Sequence, residues 1–202
     1  MSYNTKTIDY YNQNAAAFVQ GTAGAEMSAI RDRFLRGIPD GGVILDLGCG
    51  SGRDSRAFMD AGYRVVMVDG SEALCRAAEK LTGQKVVLSL FQDYHPEEET
   101  AFDGIWACAS LLHLESEEIR AVVKRLAGSL RGGGSFYMSF KYGRFTGERK
   151  GRFFTDFDEE KIQSLMEDIP RLMIIDQTIT GDVRPGRSDE KWLNVICRKV
   201  QD

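Results

Sequence analysis

The 202-residue chain is predicted to be an α/β domain in which a seven-stranded, mostly parallel sheet carries helices on both faces and the last strand runs antiparallel. Three observations predict it. Short apolar runs alternate with segments of helical spacing, which is the pattern of a parallel sheet wrapped by helices. The apolar run Val43 to Leu47 passes directly into a glycine-rich turn and then a helix. Near the end, two long strand-like runs are joined through Gly181 to Asp189, where Pro185 and Gly186 supply turn angles, so the final strand folds back as a hairpin.

The elements follow in order. Helical spacing covers Ile8 to Phe18 and Ala25 to Arg36, ahead of the first strand at Val43 to Leu47. Gly52 to Asp60 is the next helix, Arg64 to Val68 the second strand, and Glu72 to Leu81 a helix rich in Ala and Leu. Val86 to Leu90, Gly104 to Ala109 and Gly134 to Phe140 supply strands three to five. The helix Ser116 to Leu130 lies before the fifth strand, with Ser116 as its cap. After Lys141 a basic, Gly-containing loop runs to Thr155. Asp158 to Met166 is then helical, and Leu172 to Thr180 and Lys191 to Val200 complete the sheet.

Length bounds the organisation to a single domain, divided into a helical region over 1–37, a ligand-binding core over 38–142 and a substrate-side region over 143–202. A net charge of −4 gives no global pull toward nucleic acid, which stays the less favoured partner. Four scattered cysteines without a Cys-x-x-Cys pair, and only two histidines, argue against a zinc site, so no metal is assigned. Met1 to Gln13 lacks the apolar core of a signal peptide and no run is long enough to cross a bilayer. The expectation is a cytoplasmic protein without a membrane partner, monomeric or homodimeric.

The chemistry concentrates in Ile44-Leu45-Asp46-Leu47-Gly48-Cys49-Gly50-Ser51-Gly52-Arg53-Asp54. Glycines there permit positive φ and close approach of a ligand, and the following helix presents unpaired N–H groups. A dinucleotide-binding G-x-G-x-x-G fits poorly, because Arg53 stands where a third small residue is needed. Asp46 would repel a pyrophosphate and attract an ammonium or sulfonium group. Asp69 closes the second strand, where a carboxylate accepts the hydroxyls of a ribose. A nucleoside with an ammonium and a carboxylate but no phosphate, such as S-adenosylmethionine, satisfies these demands.

With these residues the sequence resembles the class I S-adenosylmethionine-dependent methyltransferase superfamily: Asp46, Gly48, Gly50 and Gly52 match its first motif and Asp69 its acidic second. The resemblance covers Ile38 to Tyr142 and implies a Rossmann-like fold. It adds Cys49, Ser51, Gly70, Ser71 and Ala109 to the cofactor set. It also implies that Gln92-Asp93 follow the third strand with Asp93 facing the adenine amine, and that an N-terminal lid lays Tyr11 over the cofactor. Asn14 and Thr22 are further polar candidates on that lid, whereas Phe18 reads equally as core.

The run Ser110-Leu111-Leu112-His113-Leu114 is similar to the small-molecule branch, which includes tellurite-resistance and quinone-biosynthesis enzymes, and implies S-adenosylhomocysteine as product. The resemblance places His113 beside the methyl group, where it either accepts a proton or closes the pocket wall. Basic residues Lys141, Arg144, Arg149, Lys150 and Arg152 after the fifth strand, and Arg184, Arg187 and Lys191 near the final hairpin, are expected to converge. Among them Lys141, Arg152, Arg184 and Arg187 form a rim for an anionic small-molecule acceptor. A tRNA-modifying enzyme and a non-catalytic nucleoside binder remain the alternatives. Three features are read as bland: Gly132-Gly133-Gly134 as a turn, Glu97-Glu98-Glu99 as an exposed loop and Trp106 as core.

Overall fold

Why the chain forms a two-faced layered fold is visible in its first strand, β1 (Val43–Leu47), every residue of which after Val43 is buried. Ile44 packs on one side of the sheet and Leu45 and Leu47 on the other, because successive side chains of a strand point to opposite faces. The computed structural model describes residues 3–97, 101–184, 186–187 and 189–201. Pro185, Glu98 and Glu99, named above for a turn and an acidic loop, lie outside the described residues.

Two helices precede the sheet, α1 (Tyr3–Thr22) and α2 (Ser28–Leu35). β1 is followed by α3 (Arg53–Asp60), β2 (Arg64–Asp69), α4 (Glu72–Thr82), β3 (Val86–Leu88) and β4 (Phe102–Ala107). A single 3-10 turn at Leu111–His113 leads to α5 (Ser116–Gly128) and β5 (Leu130–Lys141). A hairpin of β6 (Thr146–Arg149) and β7 (Arg152–Thr155), then α6 (Glu159–Glu167), β8 (Leu172–Gly181) and β9 (Lys191–Lys199), complete the chain. The main sheet has seven strands in the order β3-β2-β1-β4-β5-β9-β8, with β9 antiparallel to both its neighbours and the remaining pairs parallel. The order reverses at β1, with β2 on one side and β4 on the other, which opens a crevice at the carboxyl ends of the strands.

Each face has its own core. Phe34 of α2, Phe58 of α3, Trp106 of β4 and Tyr137 of β5 are fully buried and stacked on one face, with ring centroids 4.0 to 5.8 Å apart. Ring pairs of this kind add about 0.5–1.5 kcal/mol each beyond the burial of their area. Val122, Leu126, Ile162 and Leu165 from α5 and α6 fill the other face.

The structure corrects several boundaries. The loop expected from Lys141 to Thr155 contains the β6–β7 hairpin, which forms its own two-stranded sheet. Lys150 and Gly151 form its turn with φ of 49° and 78°, the left-handed geometry that suits a tight hairpin. Helix α1 extends beyond both predicted ends, α2 is shorter, and β3 stops at Leu88. β4 ends at Ala107, so Ala109 sits in the turn beyond it. Helix α5 is capped by Glu115, in a reciprocal box with Glu118, instead of by Ser116. The triple glycine lies within β5, where the pairing with β4 shifts register.

Candidate active site

The glycine turn connecting β1 to α3 is built by steric necessity. Gly48, Gly50 and Gly52 have φ of 82°, 56° and 80°, and a Cβ on Gly48 would collide with the Cβ of Ser110 and stand 3.0 Å from the Phe91 ring. The first two glycines let side chains close on the turn, Ser110 and Phe91 at Gly48 and the Phe18 ring at Gly50. The third serves packing: a Cβ on Gly52 would meet Ala78 of α4 at 3.0 Å.

Two buried carboxylates frame the turn. Asp46 accepts from the Ser55 hydroxyl, and burial, together with neighbouring Asp54, pushes its carboxyl up to about 7. Asp69, at the end of β2, accepts from the backbone N–H groups of Gly50 (2.9 Å) and Ser71 (2.8 Å). Burial raises it as well. A buried, partly protonated aspartate beside an open turn is an electrostatic cost that a cationic ligand relieves. Asp54 is compensated already, by Arg31 at 2.7 Å, Arg53 at 2.6 Å and the Trp106 indole N–H at 3.2 Å.

A cavity of about 500 Å³ extends from this turn to the β8–β9 hairpin and runs beneath α1. Of the residues singled out in the sequence, Tyr11, Asp46, Gly48, Cys49, Gly50, Ser51, Asp69, Gly70, Gln92, Ala109, His113, Lys141, Arg152, Arg184 and Arg187 line it. Three predicted cofactor residues do not line it. Gly52 is turned to α4; Ser71 caps α4, its hydroxyl accepting from the Leu74 N–H. Asp93 is exposed, because β3 ends early and the chain turns through 91–93, leaving Phe91 and Gln92 on the cavity.

Helix α1 lies over the cavity and is held at two places. Near the glycine turn, Asn12 Oδ1 accepts from the Ser71 hydroxyl (2.8 Å) and the Ala73 N–H (3.2 Å), and Phe18 lies over Gly50. Nearer its start the Phe153 N–H donates to the Thr7 hydroxyl at 3.1 Å, tying α1 to β7. Asn14 and Thr22 bond to carbonyls of their own helix. Sequence reasoning missed Asn12 and Phe91 and left Phe18 open between lid and core; only the glycines signalled that something must pack over them.

His113 is not free to meet a ligand directly. Its Nδ1 is 2.7 Å from the Phe153 carbonyl, which can only accept, so Nδ1 carries the proton and Nε2 accepts from the Tyr11 hydroxyl at 2.8 Å. Burial lowers its pKa to about 4, so the ring is neutral at pH 7. Cys49 is a filler: burial and Asp46 push its thiol well up.

The expected basic rim is largely neutralised. Lys141 pairs with Glu190 and with Asp182 (3.6 Å), Arg184 with Asp182 (2.5 Å) and Arg187 with Glu190 (3.8 Å). Asp182, held by Arg184 and by the Trp192 N–H, lies well below the usual carboxylate range despite partial burial. Arg149 pairs with Asp156 and Arg144 with Asp158 and Glu160. Arg152 has no carboxylate partner among the described residues. Its guanidinium lies over the rings of Tyr10 (4.5 Å) and Phe154 (5.1 Å) and donates to the Tyr11 hydroxyl at 3.3 Å.

The sheet order, the antiparallel penultimate strand and the glycine turn framed by Asp46 and Asp69 fit the fold of the class I S-adenosylmethionine-dependent methyltransferase superfamily that the sequence resembles. More particularly, residues 44–134, a little under half of the chain, match the family described as a methyltransferase domain.

Among curated proteins, the chain is 33% identical over 102 residues to the cypemycin N-terminal methyltransferase of Streptomyces sp, covering 49% of this chain and 42% of that protein. The chain spans less than half the length of the curated relatives it matches. Among solved structures, it superimposes on the 1,6-didemethyltoxoflavin-N1-methyltransferase of Burkholderia thailandensis with a TM-score of 0.72 and 22% identity, over 96% of this chain and 85% of that one. It superimposes on the N-methyltransferase NodS of Bradyrhizobium japonicum WM9 with a TM-score of 0.65 and 18% identity, over 85% and 86% of the two chains. These structural likenesses speak to the fold.

The residues present fit the superfamily's cofactor. The cavity beside the glycine turn leaves room for it, and the buried Asp46 on its wall answers an ammonium group. Asp69 keeps lone pairs for ribose hydroxyls beyond the two N–H groups that it accepts.

Proposed function

We propose that this chain transfers a methyl group from S-adenosylmethionine to a small acceptor carrying an anionic group, and that Arg152 holds that group. The cofactor supplies an electrophilic methyl group when bound. The chain's own part is to hold and align the partners and to exclude water, because methyl displacement needs an in-line approach and no covalent intermediate with the protein. Asp46 and Asp69 hold the two ends of the amino-acid nucleoside, the glycine turn between them faces it, and α1 covers it.

The observation that carries the acceptor reading is the state of Arg152: a cavity-lining guanidinium without a carboxylate, whose Nε is buried without a hydrogen-bond partner. A buried unpaired donor on a cation is costly, and a carboxylate, phosphate or oxyanion removes the cost by a bidentate pair. Lys141, Arg184 and Arg187 shape the wall through their ion pairs and contribute less net attraction. The curated relative is an N-terminal methyltransferase and two structures of similar fold are an N1- and an N-methyltransferase, which supports a heteroatom as the attacked atom.

The test is turnover of labelled S-adenosylmethionine across a panel of small carboxylates and phosphate esters. Arg152→Met is expected to raise KM for the best acid by about tenfold to a hundredfold, the loss of a charge-assisted pair. An unchanged KM, or a preference for neutral acceptors, would remove the anionic assignment.

A further inference from the structure

Tyr11 and His113 both line the cavity, joined by the hydrogen bond between the phenol and the imidazole. Its hydroxyl hydrogen is directed to His113 Nε2, and one oxygen lone pair receives the long contact from Arg152. The remaining lone pair is available to a ligand, since Tyr11 lines the cavity and its ring is fixed edge-on against both Phe18 (5.3 Å) and His113 (5.5 Å). Behind it, the imidazole is fixed by the Phe153 carbonyl at Nδ1 and by the Phe154 ring at 4.9 Å. Carbonyl, imidazole and phenol therefore form one directed chain. It ends in an oxygen that can accept a proton and pass its own back.

We propose that the Tyr11 hydroxyl, oriented by His113, takes the proton from the attacking atom of the acceptor, which makes that atom a hydroxyl oxygen or a ring N–H. This deepens the methyltransferase reading and rests on it. As the acceptor's X–H bond breaks, its electron pair stays on X and forms the new bond to the methyl group, while sulfur keeps the pair of the broken S–C bond. The proton goes to the Tyr11 oxygen, and the proton already on Tyr11 goes to His113 Nε2. The resulting imidazolium keeps its Nδ1–H on the Phe153 carbonyl and loses the other proton to water once α1 opens.

The charged and titratable groups facing His113 are Tyr11 from α1 and Arg152 from β7; the carbonyl and the ring around it are neutral. Arg152 and burial together make His113 a weak base, with a pKa of about 4. A weak base suits an X–H that becomes strongly acidic only as the methyl group arrives. An aliphatic amine attacks as its free base and needs no such acceptor. Tyr11 is thus the catalytic residue and His113 a positioning residue.

The test uses the full chain and its Tyr11→Phe variant. In the free protein, 15N NMR of the His113 ring is expected to show the proton on Nδ1, with the Nε2 resonance moving in Tyr11→Phe; a proton on Nε2 overturns the proposal whatever the turnover results. Calorimetry with S-adenosylhomocysteine is expected to give the same Kd within about twofold for both proteins. A variant that no longer binds it shows a lid contact only, and overturns the proposal. If the wild-type chain itself does not bind, the methyltransferase reading fails instead.

Turnover is then compared between carboxylated phenols or ring N–H compounds and carboxylated alkylamines. Tyr11→Phe is expected to lower kcat on the order of 10²-fold with little change in KM, and to regain rate as pH rises. Equal kcat, or wild-type turnover confined to alkylamines, overturns it.

Discussion

Replacing Asp46 by asparagine isolates the charge at the base of the glycine turn without changing its shape. The carboxyl stands at about 7 in the folded protein against an ordinary value of 3.8, chiefly because it is buried. At about 1.4 kcal/mol per pH unit that difference amounts to roughly 4 kcal/mol. The sign follows from linkage. An acid whose folded pKa is raised contributes stability that is complete below the unfolded value and is lost as pH rises through the folded one. The loss therefore falls between about pH 4 and pH 7.

The amide of Asp46→Asn carries no such charge, so the variant should exceed the wild type in stability by roughly 1.5 kcal/mol at pH 5 and by about 4 kcal/mol at pH 8. Urea denaturation at the two pH values measures this. Its affinity for S-adenosylhomocysteine should nevertheless fall by about tenfold to a hundredfold, because the ammonium group loses a charge-assisted partner. A variant less stable than wild type at both pH values, or a stability difference independent of pH, would refute the reasoning.

Other perturbations probe neighbouring parts of the site. Gly48→Ala, which forces a Cβ into left-handed backbone and against Ser110, should cost roughly 2–5 kcal/mol and abolish cofactor binding, as read by thermal denaturation and calorimetry. Asp54→Asn leaves Arg31 and Arg53 facing each other without their shared carboxylate and should cost about 3–5 kcal/mol in urea denaturation. Asn12→Ala releases α1 from Ser71 and Ala73. It should raise the Kd for S-adenosylhomocysteine several-fold while changing stability by only about 1 kcal/mol, and unchanged binding would mean that α1 does not close over the cofactor.

The sheet and the cofactor half of the site were legible because their signals are local. A buried strand entering a glycine turn, with Asp46 before it and Asp69 closing the next strand, lies within the 27 consecutive residues from Val43 to Asp69. The β6–β7 hairpin was not legible: its strands are four residues each, polar on one face, and its turn uses Lys150-Gly151 among other basic residues. The basic residues of the expected rim line one cavity, but most of their charge is offset by carboxylates. Asp182 and Glu190 sit on the same hairpin as Arg184 and Arg187, and only the fold shows which pairs close.

Likewise the proton on His113 is decided by the Phe153 carbonyl, 40 residues away. Gly52, Ser71 and Asp93 belong to the motifs, yet they brace the cofactor turn or face water. A motif records residues that shape the chain as well as those that touch a ligand.

The most direct measurement is a calorimetric titration of the chain with S-adenosylhomocysteine at neutral pH, repeated with NAD. The account predicts saturable binding of one equivalent of the amino-acid nucleoside and no heat from the dinucleotide. Tight binding of NAD with no response to S-adenosylhomocysteine would contradict it.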